Sequence, residues 1–359
     1  MGYEYTKRAR IFVGTVCNTR CRFCYYYLTG LKNKRPIENI KKQLDIAKKA
    51  GMEAVDFSGG EPTIIPEIFE LVKYAKNKGF KIIGIVTNGL RMADKKFVED
   101  IINTGLNDIL FSVHGNSKEE HNWLTQVDGS FEKLMLAIKN VQDIGIPFRI
   151  NTTVTKVNYK SLTEHAKLFV KLKPIQTNFI LFNDWETADK ISEHFCIKYS
   201  DASPYIKKAI DIMKEKIKYI NVRYIPFCFM KGYEEHVCDY PQKIYDPFEW
   251  SQRILAKLDS KGIIHPLKYY SYLLYGFTKF HPPLKSNLIE LAEDTAVAMR
   301  RGTYTKPEKC KKCKYYELCD GLEPSYVKIN GIDELKPEIG EKIHDPLYFR
   351  KNFYKGIIS

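Results

Sequence analysis

Between residues 10 and 181 the chain switches six times between a short apolar run and a stretch whose apolar residues recur at helical spacing. The runs are 10–16, 54–57, 81–86, 108–113, 148–154 and 177–181. Several are apolar along their whole length, as strands are when helices cover both faces of a parallel sheet. Between them, Ile68, Leu71, Val72 and Ala75 share one helical face within 66–78, and Leu134, Ile138 and Val141 share another within 131–144. Asp128-Gly129-Ser130 predicts the N-terminal cap of the second. Six strand–helix units in about 180 residues predict an α/β fold: a partial (β/α)6 TIM-like barrel, with an open doubly wound sheet as the competing arrangement.

The alternation stops near residue 183. Ser203-Pro204 predicts the start of a helix that carries Ile206, Ala209, Ile210, Met213 and Ile217 on one face. Beyond it the sequence becomes rich in aromatic residues, as in Tyr269-Tyr270-Ser271-Tyr272. The expected organisation is a barrel over residues 1–185, a helical linker over 186–225 and a smaller C-terminal domain over 226–359. Lys and Arg number 57 against 43 Asp and Glu, a formal charge of +14 that could serve a nucleic acid, an anionic cofactor or solubility alone. No apolar run approaches the roughly 18 residues of a membrane helix. Residues 1–10 lead straight into a strand-like run, with no room for a signal peptide's apolar core. The expectation is a cytoplasmic protein with no membrane partner.

Nine cysteines in such a chain need a physical reason, and an odd number without an export signal argues against a disulfide framework. Six fall into two tight groups: Cys17, Cys21 and Cys24, then Cys310, Cys313 and Cys319. Cys196, Cys228 and Cys238 lie between. Thiolates converge on one metal centre when short loops hold them together. The first group directly follows a strand and offers three thiolates where a cubane iron–sulfur cluster usually takes four. One iron is then open to a reactant, whereas a closed site is mostly structural or electron-carrying. Zinc, or a ferredoxin-like cluster completed by a distant cysteine, is the alternative on spacing alone.

Cys17-Asn18-Thr19-Arg20-Cys21-Arg22-Phe23-Cys24 resembles the CxxxCxΦC signature of the radical S-adenosylmethionine (radical SAM) enzymes, with Phe23 at the aromatic position. Three further elements follow in that family's order. Ser58-Gly59-Gly60-Glu61-Pro62-Thr63 resembles its GGEP motif, Thr87-Asn88-Gly89 ends the third strand, and Ser112-Val113-His114-Gly115 ends the fourth, where many members carry Ser-x-Asp-Gly. Each lies at the carboxyl end of a predicted strand, the face where barrel enzymes assemble their sites. The resemblance, over about residues 8–185, implies that Cys17, Cys21 and Cys24 hold a 4Fe-4S cluster whose open iron takes the amino and carboxylate groups of SAM. It implies that the Gly59-Gly60-Glu61 turn binds SAM, its glycines letting backbone carbonyls approach the methionine ammonium. Phe23 would lie against the adenine, and Ser112 and Asn88 would reach ribose or methionine polar groups. On the fifth strand Arg149, Asn151 and Thr153 alternate with Phe148, Ile150, Thr152 and Val154, so one set points into the barrel. Asn151 and Thr153 are the expected SAM contacts. His114 is the departure: a neutral imidazole accepts one hydrogen bond where an aspartate accepts several.

Cys310-Lys311-Lys312-Cys313, followed by Cys319, resembles the central motif of the SPASM and twitch domains, which carry auxiliary iron–sulfur clusters behind radical SAM barrels. A full SPASM motif would place another cysteine at position 323, where Glu323 stands. It would place one more at the end of a hairpin, where the hairpin-like stretch 259–267 ends in Leu267. One auxiliary 4Fe-4S cluster is therefore expected, not two. Its fourth ligand is Cys228 or Cys238, with Cys228 preferred, unless that iron stays open for substrate. A zinc ribbon is the competing reading, since four such thiolates also suit zinc. Lys309, Lys311, Lys312 and Lys314 flank the group, and solvated lysines offsetting the cluster's charge account for them better than a nucleic-acid patch.

The resemblance implies reductive cleavage of SAM to a 5′-deoxyadenosyl radical, which takes a hydrogen atom from a substrate C–H bond. An electron donor such as flavodoxin or ferredoxin is implied with it. Oxidation or oxidative coupling of a small metabolite or peptide is the expected outcome of an oxidoreductase-type enzyme. A radical epimerase with a cysteine hydrogen donor is the first alternative, and a non-catalytic iron–sulfur or zinc RNA-binding protein the second. With the first strand beginning near residue 10, no N-terminal leader-binding domain is expected, which favours a small metabolite or a leaderless substrate.

Overall fold

A computed structural model describes residues 3–30, 33–183, 193–259, 262–263, 265–280 and 288–351. Seven strands hydrogen-bond in chain order into a parallel half-barrel: β1 (Arg8–Phe12), β2 (Ala54–Ser58), β3 (Ile82–Thr87), β4 (Asp108–Ser112), β5 (Phe148–Val154), β6 (Gln176–Leu181) and β7 (Tyr219–Arg223). The first six coincide with the apolar runs to within a few residues. β7 has no counterpart among them, because the buried Asn221 interrupts its apolar residues. It lies in the stretch expected to be a helical linker. The helix Tyr199–Met213 precedes it and begins ahead of Ser203, so Pro204 sits inside the helix and not at its start. The helix Ser130–Ile144 is capped by Gly129 at φ 72°, with no side-chain cap from the Asp128–Ser130 turn.

Two compact units divide the chain, residues 11–222 and residues 1–10 with 223–359. In the first, helices bury single stripes against the sheet, such as Ile40, Leu44 and Ala47, or Leu134, Ile138 and Val141. The interior of the curl is polar near its base. Arg149 of β5 donates to both oxygens of Asp108 on β4 (3.1 and 2.7 Å) and lies 3.4 Å from Asp56 on β2. Asp56 and Arg149 are three strands apart, about 14 Å along a flat sheet. They meet because the sheet curls and because Gly84 stands between Asp56 and Asp108 in the register. A Cβ on Gly84 would overlap the Asp56 carboxylate. This fixes the direction of β5: Arg149, Asn151 and Thr153 share the interior face.

The second unit is built of short helices and turns. Phe227 stacks on Tyr315 at 5.5 Å, and Arg350, 1% exposed, donates to the carbonyls of Glu235 (2.8 Å) and Val237 (3.2 Å). Thr305 and Leu322 exchange backbone hydrogen bonds (2.8 and 2.9 Å), so the segment with the late cysteines is a ring closed at its base. The antiparallel pair Leu258–Asp259 and Gly262–Ile263 overlaps the hairpin-like stretch and begins one residue before it; residues 260, 261 and 264 lie outside the described residues.

Candidate active site and a second thiol pocket

In the first unit the loops that leave β1 to β4 surround a cavity of about 700 Å³. Its wall contains Cys17, Cys21, Cys24, Phe23, Gly59, Gly60, Glu61, Asn88 and Ser112, so nine of the residues expected to bind the cluster or SAM come together. Asn151 and Thr153 are not in that wall. Asn151 accepts a 2.7 Å hydrogen bond from the Asn178 amide, and Thr153 donates its backbone N–H to His114 Nδ1 (3.2 Å). The motifs missed Thr19, Arg20, Tyr26 and Tyr27, which also line the cavity. Their signal was their position beside the three cysteines.

The three thiols are free, and the Cys17 Sγ accepts from the Thr19 N–H (3.4 Å). Burial pushes the Cys21 thiol up to about 12 and raises that of Cys17, against the Thr19 contacts that lower both. Thiols gathered at this cost need a cation to ionise, so the donor set suits a metal centre. Cys24 closes the loop with its N–H on the Cys21 carbonyl (2.9 Å).

The glycine turn after β2 packs against that loop. Gly60 and Glu61 donate backbone N–H groups to the carbonyls of Gly14 and Val16 (2.8 Å each). A Cβ on Gly59 or Gly60 would overlap the same two oxygens, so the glycines are required by backbone packing, whatever SAM demands of them. Glu61 is 1% exposed and fully engaged. Its Oε1 accepts from the Thr63 N–H (3.0 Å), the Thr63 hydroxyl (2.6 Å) and the Thr87 hydroxyl (2.7 Å), and its Oε2 from the Asn88 N–H (2.7 Å). It ties the second loop to the third. Asn88 in turn donates to the Asn18 side chain (2.7 Å), inside the cysteine motif.

His114 lies edge-on to Phe23 at 4.8 Å and lines the cavity. Burial, then the charges of His121 and His165, push it down to about 3, so the ring is neutral. With Nδ1 accepting from Thr153, its proton sits on Nε2. The residue is a donor where the family's aspartate is an acceptor.

In the second unit Cys228, Cys310, Cys313 and Cys319 line one small pocket with Lys306, Tyr315 and Tyr316. Burial pushes Cys228 up to about 12 and raises Cys310 and Cys319. Gly321 donates its N–H to the Cys319 sulfur (3.3 Å). Cys238 lies elsewhere, fully buried, with its thiol 3.7 Å from Asp246. Glu323 caps the helix Pro324–Asn330 by accepting from the Tyr326 N–H (3.0 Å), and Leu267 is 75% exposed near the start of the helix Pro266–Phe280. Among the described residues, Cys238, Asp246 and Glu249 are the one set of three or more potential ligands whose donor atoms all lie within 4.8 Å of one another. Arg350 and Arg223 reach Asp246 and Glu249, so that set is an ion-pair network.

Residues 11–169 match the family described as the radical SAM superfamily. That stretch, somewhat under half of the chain, is a radical SAM domain. Among its relatives is the "Probable GTP 3′,8-cyclase" of Saccharolobus islandicus (strain M.14.25 / Kamchatka #1), 27% identical over 199 residues, which are 52% of this chain and 63% of that protein. The chain thus spans less than two thirds of that relative's length. The "Fe-coproporphyrin III synthase" of Methanosarcina barkeri is 21% identical over 335 residues, 85% of this chain and 80% of the other. The structure of native anSMEcpe with bound AdoMet and the Kp18Cys peptide superposes with a TM-score of 0.57 at 17% identity, over 97% of this chain and 96% of that one. At that identity the likeness is one of fold. A radical SAM core implies a 4Fe-4S cluster and SAM as cofactors. No helix among the described residues is long and apolar enough to cross a membrane.

Proposed function

We propose that the protein is a radical SAM enzyme of oxidoreductase type that oxidises or oxidatively couples a small metabolite or peptide, with a second 4Fe-4S cluster in its SPASM/twitch-like C-terminal region. Cys17, Cys21 and Cys24 hold the first cluster, which when bound supplies the electron that cleaves SAM. The surrounding residues do the rest. Phe23 gives an apolar wall, Asn88 and Ser112 offer polar groups at the strand ends, and Glu61 keeps the two loops that frame SAM in one geometry. His114 contributes an N–H at the cavity wall. Asn151, oriented by Asn178, and Thr153 act from the interior face of β5.

The observation that carries the oxidative reading is the meeting of four thiols, Cys228, Cys310, Cys313 and Cys319, on one pocket. Four thiolates suit a tetrahedral zinc as well as a 4Fe-4S cluster, and the radical SAM core in the same chain favours the cluster. The epimerase alternative needs a thiol beside the substrate, and neither Cys196 nor Cys238 lines the cavity. An acidic carrier of the flavodoxin or ferredoxin kind is the proposed electron donor, and the cytoplasm the proposed location.

The test is anaerobic reconstitution with iron and sulfide, strong reductant and SAM. 5′-Deoxyadenosine and methionine are expected, and the combined Cys17→Ala, Cys21→Ala, Cys24→Ala variant should make neither. Unchanged cleavage in that variant would remove the assignment.

A further inference from the structure

The cations around the second thiol pocket are not equivalent. Lys311 pairs with Glu308 (2.9 Å) and Lys342 with Glu317 (3.9 Å). Lys309 is exposed and donates to the Asp333 carbonyl (3.2 Å). Charges of this kind are screened by water and salt. Arg301 donates to the carbonyls of Glu317 (3.0 Å) and Cys319 (2.9 Å), and its charge is met by the buried Asp320 at 3.2 Å. Lys306 differs from all of these. It lines the pocket itself, its ammonium donates to the Tyr316 carbonyl (2.8 Å) and lies 4.6 Å from the Tyr316 ring centroid. Among the described residues no carboxylate lies within 4 Å of it. Its ammonium therefore sits at the wall that the four cysteines share without a carboxylate bonded to it, and the acidic charges of Asp320 and Glu317 act on it only from a distance.

We propose that Lys306 sets the reduction potential of the auxiliary cluster, holding it high enough to accept the electron that a substrate radical gives up. The inference rests on the auxiliary-cluster reading above. The reasoning is electrostatic. Adding an electron makes the cluster more negative, and a fixed cation lining the same pocket stabilises that state, which raises the potential. Backbone N–H groups directed at the sulfurs act in the same direction, as the Gly321 N–H does at Cys319. A cluster held by Cys228, Cys310, Cys313 and Cys319 would supply the acceptor for the one electron that a substrate radical gives up as its proton goes to water. A higher acceptor potential drives that step forward. Lys306 is a positioning residue in this scheme, since it acts through the cluster and not on substrate.

A purely structural role would be to hold the ring through the Tyr316 carbonyl, and a redox titration separates the two. Lys306→Met, Lys306→Gln and Lys306→Arg are made in the full chain, reconstituted anaerobically, and followed by electron paramagnetic resonance with iron analysis. Gln can still donate to the carbonyl but carries no charge. The expected result is wild-type iron in all three, a lower auxiliary midpoint potential in Met and Gln, near-wild-type behaviour in Arg, and an unmoved first cluster. Full iron with an unmoved auxiliary potential in Gln overturns the proposal. Loss of auxiliary iron in both Met and Gln overturns it too, because Lys306 would then only hold the loop. Wild-type protein with the iron of a single cluster overturns the auxiliary-cluster reading itself, and this inference with it.

Discussion

At the scale of single residues, His114 and Glu61 show how far a motif can be read. His114 stands where the family usually has an acidic acceptor, and its neutrality has a consequence for stability. Its folded pKa, about 3, lies below the ordinary histidine value of 6.5. The unfolded chain therefore binds a proton that the folded chain refuses. The resulting stability is complete above pH 6.5 and is lost as the pH falls toward 3, by up to about 1.4 kcal/mol per pH unit for one such group. His121, pushed down to about 4 by burial and then His165, acts in the same direction. Urea unfolding at pH 7 and pH 5 should show this loss, and His114→Gln should remove one proton's worth of the slope. Glu61 belongs to a legible motif, but its work could not be read from it. The groups that hold it, Thr87 and Asn88, are 26 and 27 residues away and reach it only once β2 and β3 lie side by side. Glu61→Gln replaces an acceptor of four hydrogen bonds by an amide that must donate. It should cost about 2–4 kcal/mol in denaturant unfolding and weaken SAM binding measured by calorimetry.

At the scale of elements, the strands were legible where they are continuously apolar and lost where they are not. β2 is buried at all five positions, and its run stands out. β7 escaped because Asn221 is buried as a polar residue inside a five-residue strand. β5 was legible as a strand, and alternation alone left two possible inward faces, of which the one with Asn151 and Thr153 was the expectation. Its direction follows from the buried Arg149, whose partners lie on β2 and β4 and are far apart in sequence. Arg149→Ala removes the guanidinium that both buried carboxylates, Asp56 and Asp108, face. A loss of about 3–5 kcal/mol is expected, seen as a lower urea midpoint. Adding Asp56→Asn and Asp108→Asn to Arg149→Met should recover much of it, and failure to recover would mean that Arg149 acts through packing alone.

At the scale of the whole molecule, the chain carries two thiol sites in separate units, and each can be removed without touching the other. The combined Cys310→Ala, Cys313→Ala, Cys319→Ala variant should lose about four of eight irons, keep 5′-deoxyadenosine formation and lose the product of substrate oxidation. The tight groups were legible because thiols so close in sequence can reach one centre through a single short loop. Which distant thiol joins the second group was not, because Cys228 and Cys238 are both about 70 to 80 residues from Cys310. The fold separates them: Cys228 is on the pocket wall, and Cys238 is buried against Asp246.

The ring closed by Thr305 and Leu322 also sets an order of assembly. Three of the four thiols are gathered by contacts between near neighbours in sequence, which form early and at little loop-closure cost. The fourth arrives only when a loop of about 80 residues has closed. Loop-closure cost alone therefore favours gathering Cys310, Cys313 and Cys319 before Cys228 docks. Segmental refolding should show amide protection in the ring ahead of protection around residue 228, which would make the distant thiol the latch of the site.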